Sequence, residues 1–195
     1  HGETIAFLDA QDADGRKVLG VNVHGPYFFA DHARRSNEVS ASISEFLSEN
    51  RDWSACLVPH DYRGETSDLA ALEDVHGRLA PSVLPRVHLV RNRLDAWEAK
   101  WIAQRLSLAI SGRMHFVIAC LGSGVPALGA GYQGKFEGLY RHCGVGSLLM
   151  DEQCWSSKSH VLSAVYGAVA QLDELGRTLG DHLPRVQDLA ARNLG

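Results

Sequence analysis

Three short polar segments carry residue types that could act on an anionic ligand. They are HDYRGE at 60–65, SGRMH at 111–115 and GYQGK at 131–135. SGRMH is the most informative. Ser111-Gly112 lets a helix N-terminus approach a ligand closely, with its first N–H groups unpaired. Such a terminus attracts anions through those donors and the helix dipole. Arg113 adds a planar, permanently charged fork suited to phosphate or carboxylate. His115 adds a group that gives or takes a proton near neutral pH. The plainer alternative is a solvated Arg113 and a core His115 held by a hydrogen bond. A cation in the first turn of a helix is unfavourable unless an anion is nearby, and this favours a functional reading.

The other two segments leave more open. Lys135, after the turn G-Y-Q-G, is either a second positive charge on the same anion or an ordinary exposed lysine. His60-Asp61 is either an acid/base pair or a turn with an Asx-type hydrogen bond. No G-x-x-x-x-G-K-[ST] loop is present, so phosphate-loop nucleotide hydrolysis is not expected. GVGS at 144–147 lacks the rest of a dinucleotide fingerprint. Ser123 sits in G-S-G without a G-x-S-x-G elbow. The ten histidines show no H-x-x-x-H or H-E-x-x-H spacing, so no metal is expected.

The positioning elements follow from the hydrophobic pattern. Strands are expected at 17–23, 54–60, 87–90, 108–111, in PALGA and in VGSLLM. Helices are expected at 36–50, 67–80, from Asp95 through Arg105, at 113 to about 122, and shortly after Lys135. Trp97 and Trp101, four residues apart, fall on one face of their helix. From Lys158 onward one or two amphipathic helices carry Val165, Val169, Leu172 and Leu175. The His-Gly-Pro after the first strand reads as a turn. Strands alternating with helices predict an α/β fold: a Rossmann-like open parallel sheet covered on both faces. In such sheets ligands sit beyond the carboxyl ends of the strands, where the three polar segments fall.

A chain of 195 residues suits one domain with an appendage. The division expected is a Rossmann-like domain over 1–157 and a helical segment over 158–195 packing on it. A net charge of -4 argues against general nucleic-acid binding. No apolar run approaches the ~20 residues of a membrane span, and no secretory signal is visible. The four cysteines form no C-x-x-C pair and read as buried free thiols in a reducing compartment. The chain opens on His1 rather than Met, which fits a processed or excised piece of a longer protein.

The run EAKWIAQRLSLAISGRMHFVIACLGSGVPALGAGYQGKFEG resembles the signature region of the polysaccharide pyruvyl transferases. The shared features are Glu98, Lys100 and Ile102 on a helix, then Arg113 and His115 in G-x-R-x-H, then Gly124-Val125-Pro126, then Tyr132, Lys135 and Gly138. Val58-Pro59-His60 and Asp68 extend the likeness upstream, so it spans about 54–146. The resemblance implies one half of a two-domain architecture similar to GT-B glycosyltransferases. It implies phosphoenolpyruvate as donor, a sugar hydroxyl pair as acceptor and a pyruvate ketal as product, without a cofactor. The chain would be the C-terminal, donor-binding half, with the acceptor held by a missing N-terminal domain. By that analogy His115, Arg113 and His60 are the catalytic candidates. Ser111, Gly112, Met114, Lys135 and Tyr132 are the substrate-binding candidates. The expected location is cytoplasmic, including the inner membrane face. Competing expectations are the donor half of a nucleotide-sugar glycosyltransferase and a non-catalytic scaffold domain.

Overall fold

Six short strands pair in parallel, and the central ones are apolar runs buried on both faces, whereas the edge strand at 149–151 is only partly covered. The computed structural model of the chain describes residues 2–131 and 136–192. The strands are β1 (Lys17–Asn22), β2 (Trp53–Leu57), β3 (Val87–Leu89), β4 (Leu108–Ser111), β5 (Ala127–Gly131) and β6 (Leu149–Asp151). Their order is β3-β2-β1-β4-β5-β6. β1 pairs with both β2 and β4, bringing Val21 beside Leu57 and Ile110. The strand order therefore reverses at β1 and β4, where open α/β sheets hold their ligands. The Rossmann-like parallel sheet expected from the sequence is the fold observed.

The helices are α1 (Gly2–Ala13), α2 (Gly25–Phe29), α3 (His32–Glu49), α4 (Asp68–Gly77), α5 (Ala96–Gln104), α6 (Met114–Leu121), α7 (Glu137–His142), α8 (Lys158–Ala170) and α9 (Leu172–Arg192). Several match their local signals. Ser67 caps α4 by accepting from the Ala70 amide. Asp95 and Glu98 form a reciprocal capping box on α5.

Three expectations are corrected, and a further helix, α1, has no signal in the hydrophobic pattern. Its buried positions, Thr4, Leu8 and Gln11, have helical spacing, but only one is apolar. Thr4 instead hydrogen-bonds His88 at 2.9 Å, and Gln11 accepts from Ser54 at 2.5 Å. The His-Gly-Pro turn is the entry to α2, where proline is tolerated in the first turn. α3 begins at His32 rather than at Ser36, which is buried within it. Residues 146–148 form a 3-10 turn, so β6 starts later than VGSLLM suggested.

α8 packs on α3, with the Lys158 amide donating to Glu38 and its Nζ to Glu45, both at 2.6 Å. α8 and α9 part at Gln171, so Val165 and Leu175 are buried from two separate helices. All four cysteines are buried free thiols, as expected. Among the described residues no helix is long and apolar enough to cross a membrane.

Candidate active site at the carboxyl edge of the sheet

The loops leaving β1, β2 and β4 converge because buried polar side chains tie them together. Asn22, the last residue of β1, is fully buried. Its Nδ2 donates to the Val58 carbonyl and its Oδ1 accepts from the Ser111 hydroxyl, each at 2.7 Å. The Ser111 Oγ in turn accepts from the Arg113 amide at 3.0 Å. Ser111 therefore lies beneath the site and sets the course of the loop. Gly112 is pressed on the β1 loop, since a Cβ there would lie 2.9 Å from the His24 nitrogen. Met114 packs partly buried against the core.

Arg113 is the residue immediately before α6, and the anion beside it is the protein's own. Its Nη2 donates to Asp68 Oδ1 at 2.7 Å and its Nε to Oδ2 at 2.9 Å. Asp68 is 0% exposed, whereas the Arg113 side chain keeps 21% of its surface. Asp68 also accepts from the Gly25 amide at 2.7 Å, the Asp61 amide at 3.1 Å and the His60 amide at 3.2 Å. The cation, which stands at the N-cap of α6 rather than in its first turn, thus has a buried internal counter-charge that residue spacing does not reveal. The Nη1 group of Arg113 makes no hydrogen bond among the described residues.

His60, in the loop after β2, and His115, in the first turn of α6, bring their rings together. The centroids are 5.8 Å apart and the planes 22° from parallel. Both residues are exposed at the rim. The His60 pKa lies below the usual histidine value. Partial removal from water lowers it most, and His115 and Arg113 add to this, while Asp68 and Asp61 oppose. Half-buried His24 is shifted the same way, by burial first and then by Arg113. Both imidazoles are therefore neutral at pH 7, suited to accept a proton. His24 was not singled out from the sequence, and its only signal was a place just after a strand.

Asp61 is not paired with His60. Its carboxylate accepts from the Arg63 Nε at 2.9 Å and the Arg63 amide at 3.2 Å, an Asx-type turn. The Arg63 hydrogen bond does most to hold its pKa down at about 2. Of the two readings of His60-Asp61, the turn is the one observed.

A small cleft of about 120 Å³ adjoins His60, lined also by Tyr62, Leu94, Asp95 and Phe116. A larger apolar cleft of about 490 Å³ lies between α1 and α5 and shares only Leu94 with it. Trp97 and Trp101 both line the larger one, with Trp97 80% exposed. Tyr132 and Lys135, both substrate-binding candidates, lie outside the described residues. No group of three or more His, Cys, Asp or Glu among the described residues could hold a metal ion.

A parallel sheet with polar loops converging at its switch point defines a Rossmann-like α/β domain similar to one half of a GT-B enzyme. Among similar solved structures, UDP-GlcNAc 2-epimerase from Neisseria meningitidis aligns with a TM-score of 0.62 at 11% identity, covering 93% of this chain and 45% of that one. The O-GlcNAc transferase of Thermobaculum terrenum aligns with a TM-score of 0.57 at 15% identity, over 88% of this chain and 32% of that one. The C-terminal CMP-Kdo binding domain of WaaA from Acinetobacter baumannii aligns at 0.55 and 12% identity, over 92% of this chain and 98% of that domain. The chain thus spans less than half the length of the epimerase and the transferase, and all of these likenesses concern the fold. No curated protein sequence matches the chain. A family model of the polysaccharide pyruvyl transferases matches residues 6–134, and the chain belongs to that family.

Proposed function

We propose that the chain is the donor-binding half of a polysaccharide pyruvyl transferase and that it holds phosphoenolpyruvate at the carboxyl edge of the sheet. The observation that supports this most is the meeting of His60 and His115 beside Arg113, inside the stretch matched by the family model. Phosphoenolpyruvate carries a phosphate and a carboxylate, so it needs fixed N–H donors and positive charge. The first-turn amides of α6, the Nη1 group of Arg113 and the two imidazoles offer such donors. Lys135 is a further candidate.

In the proposed reaction two sugar hydroxyls and phosphoenolpyruvate yield a pyruvate ketal and inorganic phosphate. The methylene carbon takes one proton and becomes a methyl group. One hydroxyl oxygen bonds to the adjacent carbon, the second displaces the phosphate from it, and the remaining hydroxyl proton leaves through a base. His115 serves as the acid or as an orienting donor. His60, neutral before the ligand arrives, accepts the hydroxyl proton. Donors fixed at the departing phosphate stabilise the charge that develops there. The acceptor would be held mainly by the other half of the enzyme. The 195-residue chain alone would then bind the donor weakly and not turn over.

Calorimetric titration tests this reading, with His115→Gln and His60→Gln as the variants. Both side chains are exposed, so the fold should survive either change. The expected result is weak phosphoenolpyruvate binding by the wild type and at least fivefold weaker binding by each variant. Preference for a UDP-sugar, or wild-type affinity in both variants, would overturn it.

A further inference from the structure

We propose that Asp68 is a positioning residue for the anion site, fixing one edge of Arg113 and the loops after β1 and β2 before any ligand arrives. This rests on the reading of the site as a phosphoenolpyruvate pocket. The side chain is fully buried, and each oxygen takes more than one donor. Oδ1 accepts from Gly25 and Arg113, and Oδ2 from His60, Asp61 and Arg113. A carboxylate has about four acceptor sites, so its capacity is filled by donors from three separate strand ends. The packing around it leaves little room for adjustment. A Cβ at Gly25 would lie 2.3 Å from the Thr66 carbonyl oxygen, so the entry to α2 is pressed against the start of α4.

Two effects of this carboxylate oppose each other. Its charge sits one guanidinium away from the proposed anion and weakens the attraction. Its geometry holds the Nε–Nη2 edge of Arg113, so the fork is oriented on folding rather than on binding, which lowers the cost of association. If Asp68 were only a buried counter-ion, removing its charge would tighten anion binding. The gain would be roughly threefold per ligand charge for groups ~6 Å apart in a water-like dielectric. A positioning role predicts the opposite sign, and a purely structural role predicts no loss in a folded variant.

The test is calorimetric titration of the 195-residue chain and its Asp68→Asn variant with phosphoenolpyruvate, with native folding verified from the backbone amide spectrum. The expected result is binding about tenfold weaker in the variant despite its more positive site. Unchanged or tighter binding by folded D68N overturns the proposal and leaves the functional reading standing. Absence of binding by the wild type overturns the functional reading and this proposal with it. Should D68N not fold, Arg113→Lys decides, since it keeps the charge and loses the fork that Asp68 aims. At least fivefold weaker binding supports the proposal, and wild-type affinity overturns it.

Discussion

Replacing Arg113 by alanine should destabilise the fold before it reports anything about ligand binding. The change leaves the Asp68 carboxyl group fully buried while removing its only charged hydrogen-bond partner among the described residues. Breaking a buried pair by deleting one member costs about 3–5 kcal/mol. Two features place this case at the low end. The three backbone amides of Gly25, His60 and Asp61 remain on the carboxylate. The arginine side chain is also 21% exposed, so part of its charge was already hydrated. About 3 kcal/mol is expected for Arg113→Ala. Asp68→Asn should cost about 2 kcal/mol, because Arg113 regains water but the amide cannot accept on both atoms. Removing both should cost little more than the larger single change, giving a coupling of about 2 kcal/mol. With a urea slope of about 2–3 kcal/mol per molar for a chain this size, Arg113→Ala should lower the unfolding midpoint by about 1 M. Urea titrations of the two single variants and the double variant measure this. A shift below about 0.3 M for Arg113→Ala, or strictly additive singles, would refute the reasoning. Loss of ligand binding in Arg113→Ala would then be readable only after folding is verified, whereas His115→Gln carries no such burden.

Three further outcomes follow from the packing and the titratable groups. His24, His60, His76 and His88 all have pKa values lowered chiefly by burial, so below about pH 6.5 the unfolded chain binds more protons than the folded one. Stability should therefore fall as pH drops from about 6.5 through the lower folded values, by at most about 1.4 kcal/mol per pH unit for each group, and urea midpoints at pH 7.5 and 5.5 check this. Gly129→Ala would place a Cβ 2.2 Å from the buried Tyr140 hydroxyl, which donates to the Ala127 carbonyl; a loss of about 2–4 kcal/mol is expected in thermal unfolding, from overpacking plus a strained hydrogen bond. All four thiols should resist a thiol-reactive dye in native buffer and react in denaturant, because burial pushes Cys56 and Cys154 up to about 12 and Cys120 higher still; rapid native labelling of any of them would contradict the packing.

The sheet was legible in the sequence because its strands are nearly continuous apolar runs bounded by glycine, proline or polar residues. α1 was not, since polar Thr4 and Gln11 take buried places through partners 84 and 43 residues away. The helix start at Ser67-Asp68 was read correctly as a local signal. The same aspartate's second role, as the counter-charge of Arg113 45 residues on, leaves no trace in spacing. The sequence called for an anion beside Arg113 without telling whether it came from a ligand or from the chain. His60 and His115 could be nominated by their loops, yet their ring-to-ring approach depends on the parallel pairing of β1 with both neighbours.

Trp97 gives the molecule an optical handle. Trp53 and Trp155 are each 1% exposed and Trp101 is partly covered, so quenching by iodide or acrylamide should act mainly on the indole of Trp97. Fluorescence from that one ring will register anything that settles on the α1–α5 cleft, while leaving events confined to the histidine loops comparatively dark.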